Sequence, residues 1–521
     1  MGAHSVDWEG LDGEDPAFCV QLIVRNPAFW IRVAMQGDLG FAESYMFGDV
    51  DICFGRQGEE GEQGGEALFR FFELLLANRK ILDAIDTPLA RIGRLPAAAA
   101  AKTRLANTLI QAKTNIAAHY DVSNRMFAAF LSRDMTYSCA IFPELDGYVY
   151  PYSPSTSTSS STSASTSKDS PVVSESQSDG LPQSANGSDR GVERNIGRRE
   201  DKTEVVDEEE DNRDDEELYE AQMRKLQHII GRADIKRGHR VLEIGTGWGA
   251  LAITIARTVP DVQVDTITLS EEQAALALER IEIAGLGEQQ SKKCKYRPAR
   301  VRVHLMDYRS LPPAWAGAFD RMVSVEMVEA VGKEWMETYW KQIDWALKPD
   351  TGVGVVQGIT IPEARFDTYM RDTDFIRKWV GSPVHIFPGG FLPTVTFLVD
   401  TLTRGSGGRL VTESMDNIGP HYARTLKEWR RRFEDKFEEE ILPALKEEYP
   451  LVMGHEVEGA EEAIEVFKRK WVYYFCYCEV GFASRRLGDH IITFTREGNV
   501  GYGCPAVEWE EEEGCAPEVT E

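Results

Sequence analysis

Short apolar strands and longer helices alternate from residue 218 to residue 361, and this alternation is the strongest constraint on the fold. The segment LYEAQMRKLQHIIGRA has helical periodicity and precedes the apolar strand RVLEIG. Four further strands are predicted in the segments VQVDTITL, ARVRVHLM, RMVSVEM and GVGVVQGITI. The pattern is typical of a doubly wound, largely parallel sheet, so we predict a Rossmann-like α/β fold.

A glycine-rich loop follows the first of these strands, in the segment VLEIGTGWGA. Gly245, Gly247 and Gly249 would let the backbone approach a ligand at the carboxyl edge of the sheet. The spacing is not GxGxxG; ExGxGxG after a strand is the usual loop for S-adenosylmethionine. Glu243 is expected either to bind the ammonium group of that cofactor or to hold the loop as a structural carboxylate.

Polar side chains also follow the next two strands. Thr268 and Gln273, in TLSEEQ, could bind the ribose hydroxyls of the cofactor. Asp307 and Tyr308, in MDYRSL, lie where an adenine would pack. Tyr308 offers a flat apolar face and Asp307 an acceptor for the adenine amino group, although an ordinary half-buried tyrosine is the alternative.

Composition divides the chain into five parts. Residues 1–110 are interpreted as a partial N-terminal lipid-handling module, mostly helical from about residue 16, and residues 111–150 as helices that cover the cofactor and substrate. Residues 151–217 carry a Ser/Thr run and an acidic run, so a disordered insertion is predicted. Residues 218–500 form the predicted cofactor-binding domain, and residues 501–521 an acidic tail.

Charge and cysteine content narrow the partners and the compartment. Asp and Glu number 85 against 58 Lys and Arg, a net charge of −27, which argues against nucleic acid as the main partner. The eight cysteines form no CxxC pair, so reduced thiols and no metal site are expected. Without an apolar run of about 18 residues or a secretory signal, the expectation is a cytoplasmic protein that visits membranes transiently.

Several long segments resemble one known family. Residues 119–142, HYDVSNRMFAAFLSRDMTYSCAIF, are similar to a signature of cyclopropane-fatty-acid synthases and mycolic-acid methyltransferases. The resemblance continues through LEIGTGWG, TLSEEQ, DYRSLP, FDRMVSVEMVEAVG, FPGG, NIGPHYARTLKEWRRRF and WVYYFCYCEVGFASRRLGDHIITFTREGN, and PAFWIRVAMQGDLGFAESYMFGDVD resembles the family's smaller module. It covers most of the chain outside the insertion and the termini, and is nearest to plant-like and fungal-type members.

The resemblance implies an S-adenosylmethionine-dependent enzyme that acts on the double bond of an unsaturated acyl chain of a phospholipid at the membrane surface. The product would be a cyclopropane, or a methyl- or methylene-branched chain. The positions that match the cofactor contacts are Tyr137, Ser138, Gly245, Gly247, Thr268, Gln273 and Tyr308. The positions that match the family's bicarbonate site are Cys139, Glu329, Gln357, Ile359 and Tyr422, with Cys139 and Ile359 acting through backbone groups.

The implied chemistry passes through a carbocation that bicarbonate would deprotonate. Aromatic side chains in the matching segments would stabilise the cation and exclude water: Phe127, Phe130, Tyr137, Phe387, Phe391 and Tyr422. Glu329 is favoured over the nearby Glu326 as the carboxylate beside bicarbonate. His119 is interpreted as structural rather than as a base.

Three departures from the family pattern and several alternatives accompany this interpretation. Gln357 stands where bacterial members usually have histidine, and glutamine cannot carry positive charge. The segment GSPVH is interpreted as an insertion beside the acyl pocket, and the N-terminal module is expected to lack its opening strands. A saturated methyl branch would need a reductase partner, and the N-terminal module would aid membrane contact or homodimerisation.

Three alternative functions remain open. They are C-methylation of a sphingolipid base, N-methylation of a small amine, and a catalytically silent cofactor-binding protein.

Overall fold

An antiparallel three-stranded sheet opens the chain, in the order β1 (His4–Asp7), β2 (Phe18–Val24) and β3 (Val50–Arg56). The computed structural model describes residues 4–7, 18–56, 63–78, 124–145, 207–288, 299–380, 390–454 and 457–503. The expectation that the N-terminal module lacks its opening strands was therefore wrong. Val50, Ile52 and Phe54 alternate with Asp51 and Cys53 along β3, a period of two that favours a strand.

Helices complete this N-terminal part of the chain. They are α1 (Ala28–Gln36), α2 (Asp38–Met46) and α3 (Gly65–Ala77), followed by α4 (Asn124–Phe130). The helix predicted at 97–116 and His119 lie outside the described residues. Residues 1–150 and 214–521 form one unit by their contacts, and residues 151–213 form another.

The central sheet contains seven strands in the order β6-β5-β4-β7-β8-β10-β9. They are β4 (Arg240–Ile244), β5 (Gln263–Thr268), β6 (Val301–Leu305), β7 (Arg321–Val325), β8 (Val353–Thr360), β9 (Leu410–Asn417) and β10 (Gly488–Arg496). Strands β4 to β8 are mutually parallel, whereas β10 runs antiparallel to both β8 and β9. The predicted doubly wound sheet is confirmed. The direction of winding reverses between β4 and β7, where sheets of this kind bind ligands.

Helices cover the sheet and extend beyond it. They are α5 (Asp207–Arg232), α6 (Ala250–Thr258), α7 (Glu271–Ile283), α8 (Met336–Ala346), α9 (Glu363–Arg371), α10 (Val395–Ser406), α11 (Gly419–Asp435), α12 (Leu442–Glu448), α13 (Pro450–Met453) and α14 (Ala460–Ala483). Helix α5 begins at Asp207, so the acidic end of the predicted disordered insertion is helical. The rest of that insertion, the segment GSPVH, Phe387 and residues 504–521 lie outside the described residues.

Apolar side chains on the two faces of the sheet pack into separate cores. Val323 of β7 and Val355 of β8 face one core, while their neighbours Met322 and Val356 face the other. The first core also receives α11 and α14, the two long helices that carry many of the buried aromatic residues. Within the described residues, no helix combines the length and apolar character needed to cross a membrane.

Candidate active site

A cavity of about 170 Å³ lies at the carboxyl ends of β4, β5 and β7. Nine residues predicted to bind the cofactor line it together: Tyr137, Ser138, Glu243, Gly245, Gly247, Thr268, Gln273, Asp307 and Tyr308. They come from four different loops, which meet because parallel strands end at the same edge of the sheet. Cofactor binding by each of these residues stays a prediction.

The glycine loop after β4 lines one side of the cavity. Gly245 and Gly247 have φ angles of 102° and 50°, a left-handed backbone that glycine adopts without strain. The loop leads into α6, whose first backbone amides face the same region. Any side chain at Gly245 would also press on Met327, since its Cβ would lie 3.2 Å from the Met327 Cβ. The sequence between β4 and α6 thus lets a ligand approach the backbone closely.

Glu243, near the end of β4, is 2% exposed and faces the cavity. Burial raises the pKa of its carboxyl group to about 8, although Thr266 and Lys225 oppose the rise. Its Oε2 atom is buried and has no hydrogen-bond partner among the described residues. A buried acceptor of this kind fits a cationic ligand such as S-adenosylmethionine, which would supply the missing donor and positive charge.

The remaining polar residues of the cavity are partly engaged with one another. Thr268 Oγ1 donates to Gln273 Oε1 at 2.9 Å. The Asp307 carboxylate accepts from the backbone and the guanidinium of Arg309, at 2.6 to 2.9 Å. Burial raises the pKa of Tyr308, and its hydroxyl has no hydrogen-bond partner among the described residues. Asp307 is therefore held by an arginine that the sequence interpretation did not consider.

The loop after α4 is tied to α5 behind the cavity. Lys225 Nζ donates to Ser138 Oγ at 2.6 Å, and Gln222 Nε2 donates to the Ser138 carbonyl at 2.8 Å. The Ile141 amide donates to the Ala221 carbonyl at 3.1 Å. Lys225 is fully buried, and burial lowers its pKa. The site thus contains a buried lysine that the sequence analysis missed.

A half-buried carboxylate, Glu326, lies at the centre of the residues predicted to hold bicarbonate. Its Oε1 accepts from the Cys139 amide at 2.7 Å and from Gln357 Nε2 at 2.9 Å. Its Oε2 accepts from the Tyr422 hydroxyl at 2.6 Å. Gln357 Nε2 also donates to Asp489 Oδ2 at 2.7 Å. Glu326 lines the cavity, whereas Cys139, Glu329, Gln357, Ile359 and Tyr422 are not among its lining residues.

Glu329 lies one short turn further along the chain and has a different partner. Its Oε1 accepts a short hydrogen bond from the Ile359 amide at the end of β8. Burial, followed by the charge of Glu326, raises the pKa of Glu329 to about 8. Glu329 therefore binds to the edge of the sheet as a largely protonated group at neutral pH.

The donors predicted for bicarbonate do not fit that ion. The Cys139 amide, Gln357 and Tyr422 all donate to Glu326, and the Ile359 amide donates to Glu329. A further anion would also lie beside buried carboxyl groups rather than beside a positive charge on residue 357. We therefore derive no chemical step through bicarbonate.

Aromatic rings surround this cluster on the side of α11 and α14. The Tyr137 ring lies 4.9 Å from Trp429, and Tyr422 stacks on Phe482 at 4.4 Å. Phe127 and Phe130 lie 5.2 and 6.2 Å from Tyr137. Phe391, which the sequence placed in the same group, packs instead against Phe366 and Phe397 in the other core.

Lys225 and Asp489 are the polar site residues that the sequence analysis missed. Their signal was present only as polar residues inside otherwise apolar elements, such as Asp489 at the start of the strand GDHIITFTR. Such a residue is buried only with partners, and the partners come from distant segments. Glu326 was weighed and set second to Glu329, because both follow the same strand.

The Rossmann-like sheet, the left-handed glycine loop and the buried acid of the cavity define a class I S-adenosylmethionine-dependent methyltransferase. The profile of the family described as "Mycolic acid cyclopropane synthetase" matches residues 107–150 and 210–490. The chain belongs to this family.

Individual relatives agree with this assignment. The chain is 30% identical over 484 residues to a tuberculostearic acid methyltransferase of Mycobacterium tuberculosis, covering 93% of this chain and 85% of the relative. It is 27% identical over 493 residues to the cyclopropane-fatty-acyl-phospholipid synthase of Escherichia coli, covering 93% and 90%. A solved coclaurine N-methyltransferase bound to N-methylheliamine and SAH has the same fold, with a TM-score of 0.52 and 15% identity over 88% of this chain and 99% of that one.

Proposed function

We propose that the protein transfers a methyl or methylene carbon from S-adenosylmethionine to the double bond of an unsaturated acyl chain of a phospholipid. The observation that carries the proposal is that one cavity joins the cofactor loop to a half-buried carboxylate, Glu326, beside an aromatic cluster. An amine substrate would not need such an arrangement, because an amine attacks without forming a carbocation.

The cofactor, when bound, supplies an electrophilic methyl group strong enough for attack by an alkene. The residues of the chain then have to protect a cation. Tyr137, Trp429 and Tyr422 offer aromatic faces, which attract positive charge. Their burial also keeps water away from the reacting carbon. Glu243 would hold the cofactor through the buried oxygen described above.

The names of the two relatives support an acyl substrate but point to different products. One is a cyclopropane-fatty-acyl-phospholipid synthase and the other a tuberculostearic acid methyltransferase. For this chain we propose a cyclopropane as the product, because a buried base beside the cavity suits removal of a proton from the transferred carbon. A saturated branch would require a reductase partner to supply hydride.

The test is an assay of purified protein with S-adenosylmethionine and vesicles of a monounsaturated phospholipid. Fatty acids released from the vesicles are analysed by mass spectrometry. We expect a gain of one CH2 unit, with two deuterium atoms retained when the cofactor carries a trideuterated methyl group. Ozonolysis should leave the product intact if it is a cyclopropane and cleave it if it is methylene-branched.

Vesicles of saturated phospholipid are the matched substrate control and should gain nothing. The variant Glu243→Ala controls for cofactor use. A protein that binds the cofactor, yet adds no carbon to any unsaturated lipid and methylates an amine instead, would contradict the proposal.

A further inference from the structure

We propose that the Glu326 carboxylate is the catalytic base of this enzyme and occupies the place of the external anion expected from the family resemblance. This inference rests on the proposed function, since it assigns the group that removes the proton from the transferred carbon. It differs from that expectation because the base is part of the polypeptide.

Geometry is the first support. Three donors from three separate segments, the Cys139 amide, Gln357 Nε2 and the Tyr422 hydroxyl, converge on the two Glu326 oxygens at 2.6 to 2.9 Å. Each hydrogen bond that a carboxylate accepts favours its ionised, acceptor-only form. These are the groups that would otherwise bind a small planar oxyanion, and the Glu326 side chain presents the same planar pair of oxygens.

The backbone at this position is the second support. Glu326 has φ of 47°, one of five non-glycine residues with positive φ among the described residues. A left-handed backbone is strained for a residue with a Cβ, because the Cβ lies too close to the following carbonyl oxygen. The Glu326 amide is fixed there by a hydrogen bond to the Gln357 carbonyl at 2.9 Å. The chain thus tolerates strain to direct this carboxylate into the cavity.

The surroundings of three neighbouring carboxyl groups favour Glu326 as the base. Burial raises the pKa values of Glu326, Glu329 and Asp489, and the rise at Asp489 is large. The Tyr422 hydroxyl, the Cys139 amide and the charge of Lys225 oppose the rise at Glu326. Donors from three segments converge on Glu326, whereas Glu329 accepts from the Ile359 amide and Asp489 accepts from Gln357. Glu326 is also the member of this trio that lines the cavity.

The step balances without an added reactant. The alkene π electrons form a carbon–carbon bond to the methyl group as its bond to sulfur breaks, and the sulfur keeps that electron pair. A proton of the transferred carbon then passes to a Glu326 oxygen, and the electrons of the broken C–H bond close the ring. Glu326 becomes a neutral carboxylic acid and returns its proton to solvent when the product leaves.

The decisive experiment compares the wild type with Glu326→Gln and Glu326→Gly in buffers freed of carbon dioxide. The glutamine variant keeps the shape and the filled site but cannot accept the proton. The glycine variant suits the left-handed backbone and leaves the three donors open to an added anion. Circular dichroism and cofactor binding establish that each variant is folded.

We expect the wild type to need no bicarbonate and E326Q to lose about 100-fold or more in rate, the effect of removing a positioned base. E326G should be as slow without an anion, and bicarbonate or formate should raise its rate several-fold. Rescue should fail in E326Q, because its amide fills the site. A bicarbonate-dependent wild type, or E326Q with near wild-type rate, would overturn the proposal.

A binding measurement separates this inference from the proposed function. Bicarbonate and formate should raise the unfolding temperature of E326G but not that of the wild type, because only E326G has open donors. If the wild type methylates no lipid, the proposed function fails, and this measurement still tests whether Glu326 fills the anion site. Equal stabilisation of both proteins would overturn the inference.

Discussion

At the scale of single residues, burial prepares the Glu243 carboxyl for a cationic ligand. The group is inaccessible to solvent, has one oxygen without a partner among the described residues, and has a pKa of about 8. Binding of a cation would favour its ionised form and release a proton. The hydrogen bond with Thr266 and the charge of Lys225 favour the ionised form of Glu243. Burial disfavours this form more strongly, so the pKa is raised overall.

Cofactor affinity should therefore depend on Glu243 and on pH. Glu243→Gln should weaken binding of S-adenosylmethionine by about 10- to 100-fold, the loss of one charge-assisted hydrogen bond. Wild-type affinity should rise with pH up to about 8 and then level off, because binding no longer has to displace a proton. Isothermal titration calorimetry at several pH values measures both effects. The same rise below pH 8 in E243Q would assign the pH dependence to another group.

The glycine loop could be predicted because glycine itself marks a special backbone. Gly245 and Gly247 stand directly after an apolar strand, and the spacing alone locates the ligand edge of the sheet. Glu326 and Glu329 could not be ranked in this way. Glu326 differs from Glu329 in its left-handed backbone, which the sequence does not reveal because the residue is not glycine. It also differs in its hydrogen-bond donors, which belong to residues 139, 357 and 422, far away in the sequence.

At the scale of elements, Asp265 connects three parallel strands. Its carboxylate in β5 accepts from Arg240 of β4 at 2.9 Å, and from Arg302 and His304 of β6 at 2.8 and 2.9 Å. Burial would raise the pKa of Asp265, but the hydrogen bonds of His304 and Arg302 outweigh it and lower the pKa. The ionised form thus stabilises the fold.

Asp265→Asn should lower the free energy of unfolding by roughly 2–3 kcal/mol at neutral pH, because the arginines lose a buried partner. This stabilisation is present above the usual carboxyl pKa of 3.8 and is lost as the pH falls through the lower folded value. Urea unfolding should therefore show a difference between wild type and variant that shrinks in acid.

Asp261→Asn is the matched control, since Asp261 pairs with Arg237 on an exposed surface. It should change stability by less than about 1 kcal/mol. A difference for D265N that persists unchanged in acid would show that its charge is not the cause.

The elements that sequence analysis missed share one property. Strands β1 to β3 belong to a small separate sheet, and the period-two pattern of β3 is weak because Cys53 is itself apolar. In the seven-stranded sheet, the parallel strands were predictable because they alternate with helices along the chain. For the antiparallel edge, β9 and β10, the sequence predicted a last pair of strands but not their place in the sheet. The two strands lie far apart in the sequence, so their pairing leaves no local pattern.

At the scale of the whole molecule, Arg430 of α11 joins the N-terminal part of the chain to the central unit. Its guanidinium contacts Glu66 of α3 at 3.2 Å and Glu479 of α14 at 3.3 Å. Arg430 and Glu479 are nearly inaccessible, and burial raises the pKa of Glu479 to about 7. Removing the cation would leave these acids without charge compensation.

Arg430→Ala should cost about 3–5 kcal/mol in the free energy of unfolding, the loss of one partner of a buried pair. Limited proteolysis should also cut the N-terminal residues sooner. Arg431→Ala is the control, because Arg431 pairs with Asp435 on its own helix, and it should cost about 1 kcal/mol at most. Equal effects of the two substitutions would contradict the assigned role.

An exposed apolar surface of α1 bears on membrane contact. Trp30, Ile31 and Met35 are 56%, 64% and 50% exposed. We expect this surface to insert into a bilayer when the enzyme reaches its lipid. Because the chain has a net charge of −27, such binding should depend on apolar contact and change little with salt.

The double variant Trp30→Ser and Ile31→Ser should bind vesicles at least tenfold more weakly in sedimentation, with each lost side chain worth about 1.5–3 kcal/mol. Its affinity for the cofactor should be unchanged. Leu451→Ser with Val452→Ser is the control, since these residues are also exposed but lie in α13. Equal loss of vesicle binding in both variants would refute a role for α1.

We expect the site to form without peptide continuity through residues 151–206, because hydrogen bonds join α5 to the loop after α4. Lys225 and Gln222 donate to Ser138, and the Ala221 carbonyl accepts from the Ile141 amide. A gene divided within residues 151–206 should yield two polypeptides that reassemble by complementation into one enzyme. Evolution could therefore lengthen or shorten this connection, or attach a regulatory sequence there, without moving the groups that carry out the reaction.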